Sequence, residues 1–307
     1  MKALPIPNLT PTNRLCRGIL CCAAGLLVAG SVLAADVVTA TADLGNGLYL
    51  FRYDDQQSIF LVGNDGVIVT DPLSTEAAIA YRDAVTKVTD KPVTALVYSS
   101  SFFDRVAGGQ IFVEDGIEIV SQANCKSNLE ATPRADIVPP ERTYTDSTTV
   151  SAGDVSLELY YFGQSYGTCL SVLIAQPANI MLVPGLVTPP AARQPADPTL
   201  ANYYLHNLLP FFVSVEELAA AKGVEQVVGS VAVDGEEPLA PVSLVTEQRV
   251  FWDTLLRIVE QEYNKGTPAQ AIPRKADMSA LSAYSGYDPE QIAIMTRRVY
   301  SLYRIGR

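Results

Sequence analysis

The sequence predicts an α/β fold of the sandwich type, and three observations carry that prediction. Short β-branched and aromatic segments between residues 48 and 70 are punctuated by polar turns. Strand-like and helix-like segments then alternate from 67 to 120. Further short strands occupy 155–183 and 224–228, and two amphipathic segments close the chain.

Each element has a local reason. Leu48 to Tyr53 and Ser58 to Val62 flank the polar run Asp54-Asp55-Gln56-Gln57. Asn64-Asp65-Gly66 then turns the chain into Val67 to Thr70, which ends at Asp71-Pro72, so the three segments read as an antiparallel meander. Ser74 and Thr75 can cap a helix whose apolar positions Ala78, Ile79, Tyr81, Ala84 and Val85 recur at helical spacing. Lys91-Pro92 stops it before an apolar strand over Val93 to Tyr98, and strand–helix–strand with a right-handed crossover is the unit of an α/β sandwich. Val106 to Val113 reads as a short helix and Ile117 to Val120 as the next strand.

A polar, proline-bearing stretch spans Ala131 to Glu141, followed by strands over Val155 to Phe162, Leu170 to Ala175 and Ile180 to Val183. Pro189 to Pro198 reads as a surface loop. Ser214 and Glu217 form a capping box for a helix over Glu216 to Ala221, and Val224 to Val228 is a last central strand. Thr246 caps a long helix to Asn264, stopped by Gly266, with Val250, Phe251, Leu255, Ile258 and Val259 towards a core. Pro289 opens a final helix running to Tyr303.

Residues 1–35 are expected to be a secretory signal peptide. Lys2, Arg14 and Arg17 precede an uncharged apolar run from Gly18 to Ala35, and Val32 and Ala34 suit a cut after Ala34. The other reading is an uncleaved anchor helix. Either way the expected location is periplasmic or secreted, and 36–307 is read as one domain with a helical extension from about 245. The net charge is −11, and cleavage would remove three cations and no anion. So acidic a chain disfavours nucleic acid and anionic lipid as partners. No second apolar run is long enough to span a bilayer, so no membrane association is expected after cleavage.

Histidine is the most informative count. The chain has one, His206, in Tyr-Tyr-Leu-His-Asn-Leu-Leu-Pro, where it reads as structural. Catalytic zinc normally draws two or three imidazoles, so a histidine-rich zinc centre is excluded by counting. Cys16, Cys21 and Cys22 fall in the expected signal, leaving Cys125 and Cys169 either to pair or to pack as buried thiols.

Several stretches, in order, resemble the metallo-β-lactamase superfamily. They are Asp65-Gly66-Val67-Ile68-Val69-Thr70-Asp71-Pro72, Ala95-Leu96-Val97-Tyr98-Ser99, and Asp104-Arg105-Val106-Ala107-Gly108-Gly109. Tyr160 to Gly167 and Leu182 to Pro189 continue the likeness, which runs from about Leu44 to about Gly235. The resemblance implies a four-layer αβ/βα sandwich. Carried over position by position, the family's zinc-ligand loop falls on Ser100, Phe102, Asp104 and Arg105. The third-site histidine falls on Tyr166, the bridging aspartate on Gly185 and the final histidine near Val231. On that reading only Asp104 keeps the family's ligand, so the chain is a degenerate member for which neither zinc nor any other cofactor is expected.

Arg105 is expected to pair with Asp104 or to replace part of the metal's charge. Phe102, Phe103, Asp104, Arg105 and Tyr166, with Cys125 and Cys169 nearby, are the candidate pocket residues. The expected function is a zinc-free, non-hydrolytic pseudoenzyme that binds a small organic anion or a protein. The rival is a hydrolase with a rebuilt site around Asp104, Arg105, Tyr166 and Cys169. The resemblance also places the two cysteines near the former metal site, where a disulfide, or two thiolates joined by Asp104 around a metal, are the alternatives to plain burial.

Overall fold

Period-two alternation along the strands gives two sheets that face each other. The computed structural model describes residues 37–306 apart from 114–115, 190, 193–196, 283, 285 and 287. The expected signal peptide lies outside the described residues. The first half comprises β1 (Thr39–Gly45), β2 (Leu48–Tyr53), β3 (Gln56–Gly63), β4 (Gly66–Thr70), α1 (Thr75–Val88) and β5 (Val93–Tyr98). It continues through α2 (Phe103–Val106), β6 (Glu118–Gln122), α3 (Ala123–Ala131) and β7 (Arg142–Tyr144). These strands form one sheet in sequence order, antiparallel through β4 and parallel from β4 to β7.

The second half begins with β8 (Ser147–Ala152), β9 (Val155–Tyr160), β10 (Val172–Gln176), β11 (Ile180–Leu182) and α4 (Leu205–Lys222). After it come β12 (Gln226–Val228), β13 (Leu239–Pro241), α5 (Ser243–Asn264), α6 (Ile272–Lys275), α7 (Ser279–Ser282) and α8 (Pro289–Ile305). Its sheet runs β13-β12-β11-β10-β9-β8, with β11 and β12 parallel and the other neighbours antiparallel.

Alternation decides the layering. In β10, Leu173 and Ala175 point into the core between the sheets, alongside Leu61, Ile68 and Val97 of the first sheet. Val172 and Ile174 point the other way, into a core shared with Phe211, Phe212, Phe251 and Met295 of α4, α5 and α8. On the far side of the first sheet, Phe60, Val69 and Leu96 meet Ala78, Tyr81 and Val85 of α1. The result is a four-layer sandwich: helices, sheet, sheet, helices. Burial of such faces stabilises the fold at about 25 cal/mol per Å² of apolar surface. Among the described residues, no helix is long and apolar enough to cross a membrane.

Several sequence expectations need correction. α1 starts as expected, with the Ser74 hydroxyl accepting the Ala77 amide at 3.0 Å, but Ile79 is 51% exposed and Ala77 takes its place in the core. α4 begins nine residues before Ser214, so Ser214 and Glu217 lie inside the helix and cap nothing. α5 starts at Ser243, which puts Thr246 inside its first turns, and Val250 faces solvent. The expected helix over 106–113 is instead the single turn α2 and a separate 3₁₀ turn at Gly109–Ile111. The 189–198 segment is partly outside the described residues, and its Pro189 and Ala192 are buried rather than on the surface.

Candidate functional site

The site forms where the ends of β4 and β5 meet the turns after β9, β11 and β12. Asp71 follows β4 and is fully buried. Its carboxylate accepts the Ser99 amide at 2.8 Å and bonds the Ser99 hydroxyl, tying the end of β4 to the end of β5. Burial pushes the Asp71 carboxyl above its ordinary range, against the opposing pull of the Arg105 charge and the Ser99 bonds. The Leu73 amide donates to the Arg105 carbonyl at 2.9 Å, which docks α2 against the same strand end.

One helical turn separates the side chains of α2. Arg105 points inward and is 8% exposed, its Nη1 donating to the Gln57 carbonyl at 3.2 Å and its Nη2 to the Ser230 carbonyl at 3.4 Å. Asp104 points outward and is exposed, while its carbonyl accepts from Gln56 Nε2 at 3.3 Å. The expected Asp104–Arg105 ion pair does not form, because successive residues on a helix project about 100° apart. The Arg105 charge falls on buried Asp71 instead.

Tyr166 sits in a turn pinned to the residues before α4: Tyr204 donates its amide to the Ser165 carbonyl, and Gly167 to the Asn202 carbonyl, both at 2.8 Å. Its ring lies 4.6 Å from the Phe102 ring and 4.7 Å from Tyr203, which lies 5.3 Å from Trp252. Gly185 has φ +71°, and a Cβ there would stand 2.5 Å from the Tyr166 ring. The aromatic ring therefore fills the space into which any side chain at 185 would project.

Six of the seven positions singled out by the resemblance, Phe102, Asp104, Arg105, Tyr166, Gly185 and Val231, line one cavity of about 180 Å³. Ser100 is buried beside it and does not line it. Asp55, Gln56 and Thr188 complete the wall, and an isolated bridge between Gln56 and Val231 closes one side. The Thr188 hydroxyl is buried without a hydrogen-bond partner among the described residues. These three had no signal in the sequence, since polar residues in turns are ordinary.

Other candidate residues lie elsewhere. Phe103 is 39% exposed on the outer side, under the Arg134 guanidinium at 4.7 Å, and does not reach the cavity. His206 is exposed in the first turn of α4, its ring 6.1 Å from that of Tyr204. Cys125 and Cys169 are joined in a buried disulfide with Cα atoms 5.3 Å apart. That pairing removes Cys169 as a nucleophile, both sulfurs as thiolate ligands, and both residues from the cavity lining.

The cavity does not suit zinc. The metal needs three or four nitrogen, sulfur or carboxylate donors, whereas Phe102, Gly185 and Val231 offer no donor side chain and Arg105 is a permanent cation. Among the described residues no group of three or more histidine, cysteine or acidic side chains could hold a metal ion. Acid–base chemistry is also poorly served. Burial and the Asp104 charge hold the Tyr166 phenol above its ordinary range, so it is neutral near pH 7. The Ser101 hydroxyl accepts from Asn128 rather than facing a base.

No profile of a known protein family matches the sequence, and no curated protein matches it either. Solved structures do. A metallo-β-lactamase from Pontibacter korlensis superposes with a TM-score of 0.60 at 15% identity, covering 70% of this chain and 99% of its own. The DIM-1 metallo-β-lactamase gives 0.59 at 11% identity, over 71% and 99%. The stereoselective inverting sec-alkylsulfatase Pisa1 from Pseudomonas sp. gives 0.71 at 14% identity, and this chain, matched over 87% of its length, spans half of the sulfatase. With its sheet order and layering, these likenesses show that this chain has the metallo-β-lactamase fold.

Proposed function

We propose that this chain is an exported binding protein that holds a small organic anion in the Arg105 cavity and performs no zinc-dependent hydrolysis. The observation that carries the reading is a cavity of about 180 Å³ in which aromatic rings and a guanidinium stand where the family's imidazoles would be. Phe102 and Tyr166 offer apolar surface for a ligand body, and three of the five Arg105 N–H groups have no acceptor among the described residues. A charge-assisted bond from such a group contributes about 1.5–3 kcal/mol. The size favours a ligand smaller than the drug-sized molecules that fill pockets of roughly 300–1,000 Å³.

Export is part of the same proposal. The N-terminal pattern supports it, and so does the Cys125–Cys169 disulfide, since such bonds persist in oxidising compartments. Mature protein would begin at Ala35, which N-terminal sequencing of secreted or periplasmic material reads directly.

Calorimetric titration with a panel of small carboxylates and sulfonates tests the binding. Saturable one-to-one binding is expected, weakened at least tenfold in Arg105→Gln and in Tyr166→Leu, with circular dichroism confirming folded variants. Absence of binding across the panel, or affinity unchanged in both variants, would overturn the proposal.

A further inference from the structure

The described cavity wall carries two carboxylates beside one guanidinium, so a ligand with a cationic group as well as an anionic one matches it better than an anion alone. Asp55 and Asp104 both line the cavity and are exposed, while Arg105 is the single cation on its wall among the described residues and also faces buried Asp71. The Tyr166 phenol feels the same mixture, with Asp104 and Asp197 acting against Arg105. An independent observation marks the space as a polar ligand site: Thr188 is 3% exposed, lines the cavity, and its hydroxyl has no partner among the described residues. A buried hydroxyl left unpaired is costly, and a ligand polar group at that point removes the cost.

We propose that the ligand is a zwitterion of amino-acid size, with its anionic group at Arg105 and its ammonium at Asp104 and Asp55. The inference rests on the anion reading of the same cavity and adds the second charge. Phe102 and Tyr166, with ring centroids 4.6 Å apart, line the same cavity and add aromatic surface, which attracts an ammonium as well as an alkyl chain. The Thr188 hydroxyl donates to the carboxylate or accepts from the ammonium.

The test is calorimetry on the mature protein with leucine, N-acetyl-leucine and leucinamide, which carry both charges, the anion alone and the cation alone. Leucine is expected to bind at least tenfold more tightly than either derivative. Asp104→Asn and Asp55→Asn, both at exposed positions where the fold tolerates change, are expected to narrow the gap between leucine and N-acetyl-leucine to within about threefold. N-acetyl-leucine binding as tightly as leucine would overturn the zwitterion while leaving the anion site standing. Leucinamide as the tightest of the three would overturn both, and so would absence of binding by these three and by the carboxylate and sulfonate panel.

Discussion

At position 185 the backbone has φ +71° and the Tyr166 ring occupies the direction of a side chain. A carboxylate placed there cannot enter the cavity unless the ring leaves. Gly185→Asp is therefore expected to destabilise the protein by about 2–4 kcal/mol through strain and overpacking, read as a lower midpoint in denaturant melts. An unchanged midpoint would mean that the ring is freely displaced. Asp71 gives a pH prediction. Burial raises its carboxyl above 3.8, so the folded state favours the protonated form. The fold gains from this group at low pH and loses that gain as pH rises from 3.8 through the raised value. Asp71→Asn removes the loss while keeping an acceptor for the Ser99 amide, so variant stability relative to the wild type should improve as pH rises above about 4. A difference that stays constant across that range contradicts the burial account. At this scale the histidine count was fully legible, whereas the partners of Arg105 were not. Adjacency in sequence pointed to Asp104, and only the helical turn of α2 shows the guanidinium turned towards Gln57 and Ser230.

Among the elements, α3 and the turn after Gly167 are joined by the Cys125–Cys169 disulfide, which closes a separation of 44 residues. Loop-closure entropy alone assigns such a bond about 4 kcal/mol. The Cys125→Ala, Cys169→Ala double variant should lose a stability of that order in denaturant melts. Ligand affinity should fall with it, since the Tyr166 turn lies just before the bond. A double variant as stable as the parent would show that the bond constrains little. α1, β4, β5 and α8 were readable because capping residues and periodicity agree there. α4 was misread because Ser214 and Glu217 look like a capping box, yet Phe211, Phe212 and Val215 bury their side chains in one continuous helix. The three-residue β7 and β13 and the polar β8 carried too little apolar pattern to be seen, and pairing with neighbouring strands is what fixes them.

Over the whole molecule, the layer order follows from strand alternation and was legible in outline from the sequence. The cavity was not. Asp55 and Gln56, at the start of β3, lie far in sequence from Thr188 and meet it only when the sheet ends close. The line of aromatic contacts from Tyr166 through Tyr203 to Trp252 links that cavity to the core beneath α5. With one tryptophan in the chain, ligand entry should alter intrinsic emission, and this response should vanish in Tyr166→Leu. Emission insensitive to a ligand that calorimetry detects would place binding elsewhere. Fold likeness to lactamases and a sulfatase carries no chemistry by itself, because chemistry lives in the site. The most direct test is zinc: elemental analysis of protein produced in zinc-supplemented medium, with hydrolytic assays on the same sample. The cavity's donor set predicts well below one zinc per chain and no zinc-dependent turnover. One or two equivalents of zinc, with turnover lost on chelation and in Asp104→Asn, would contradict the account.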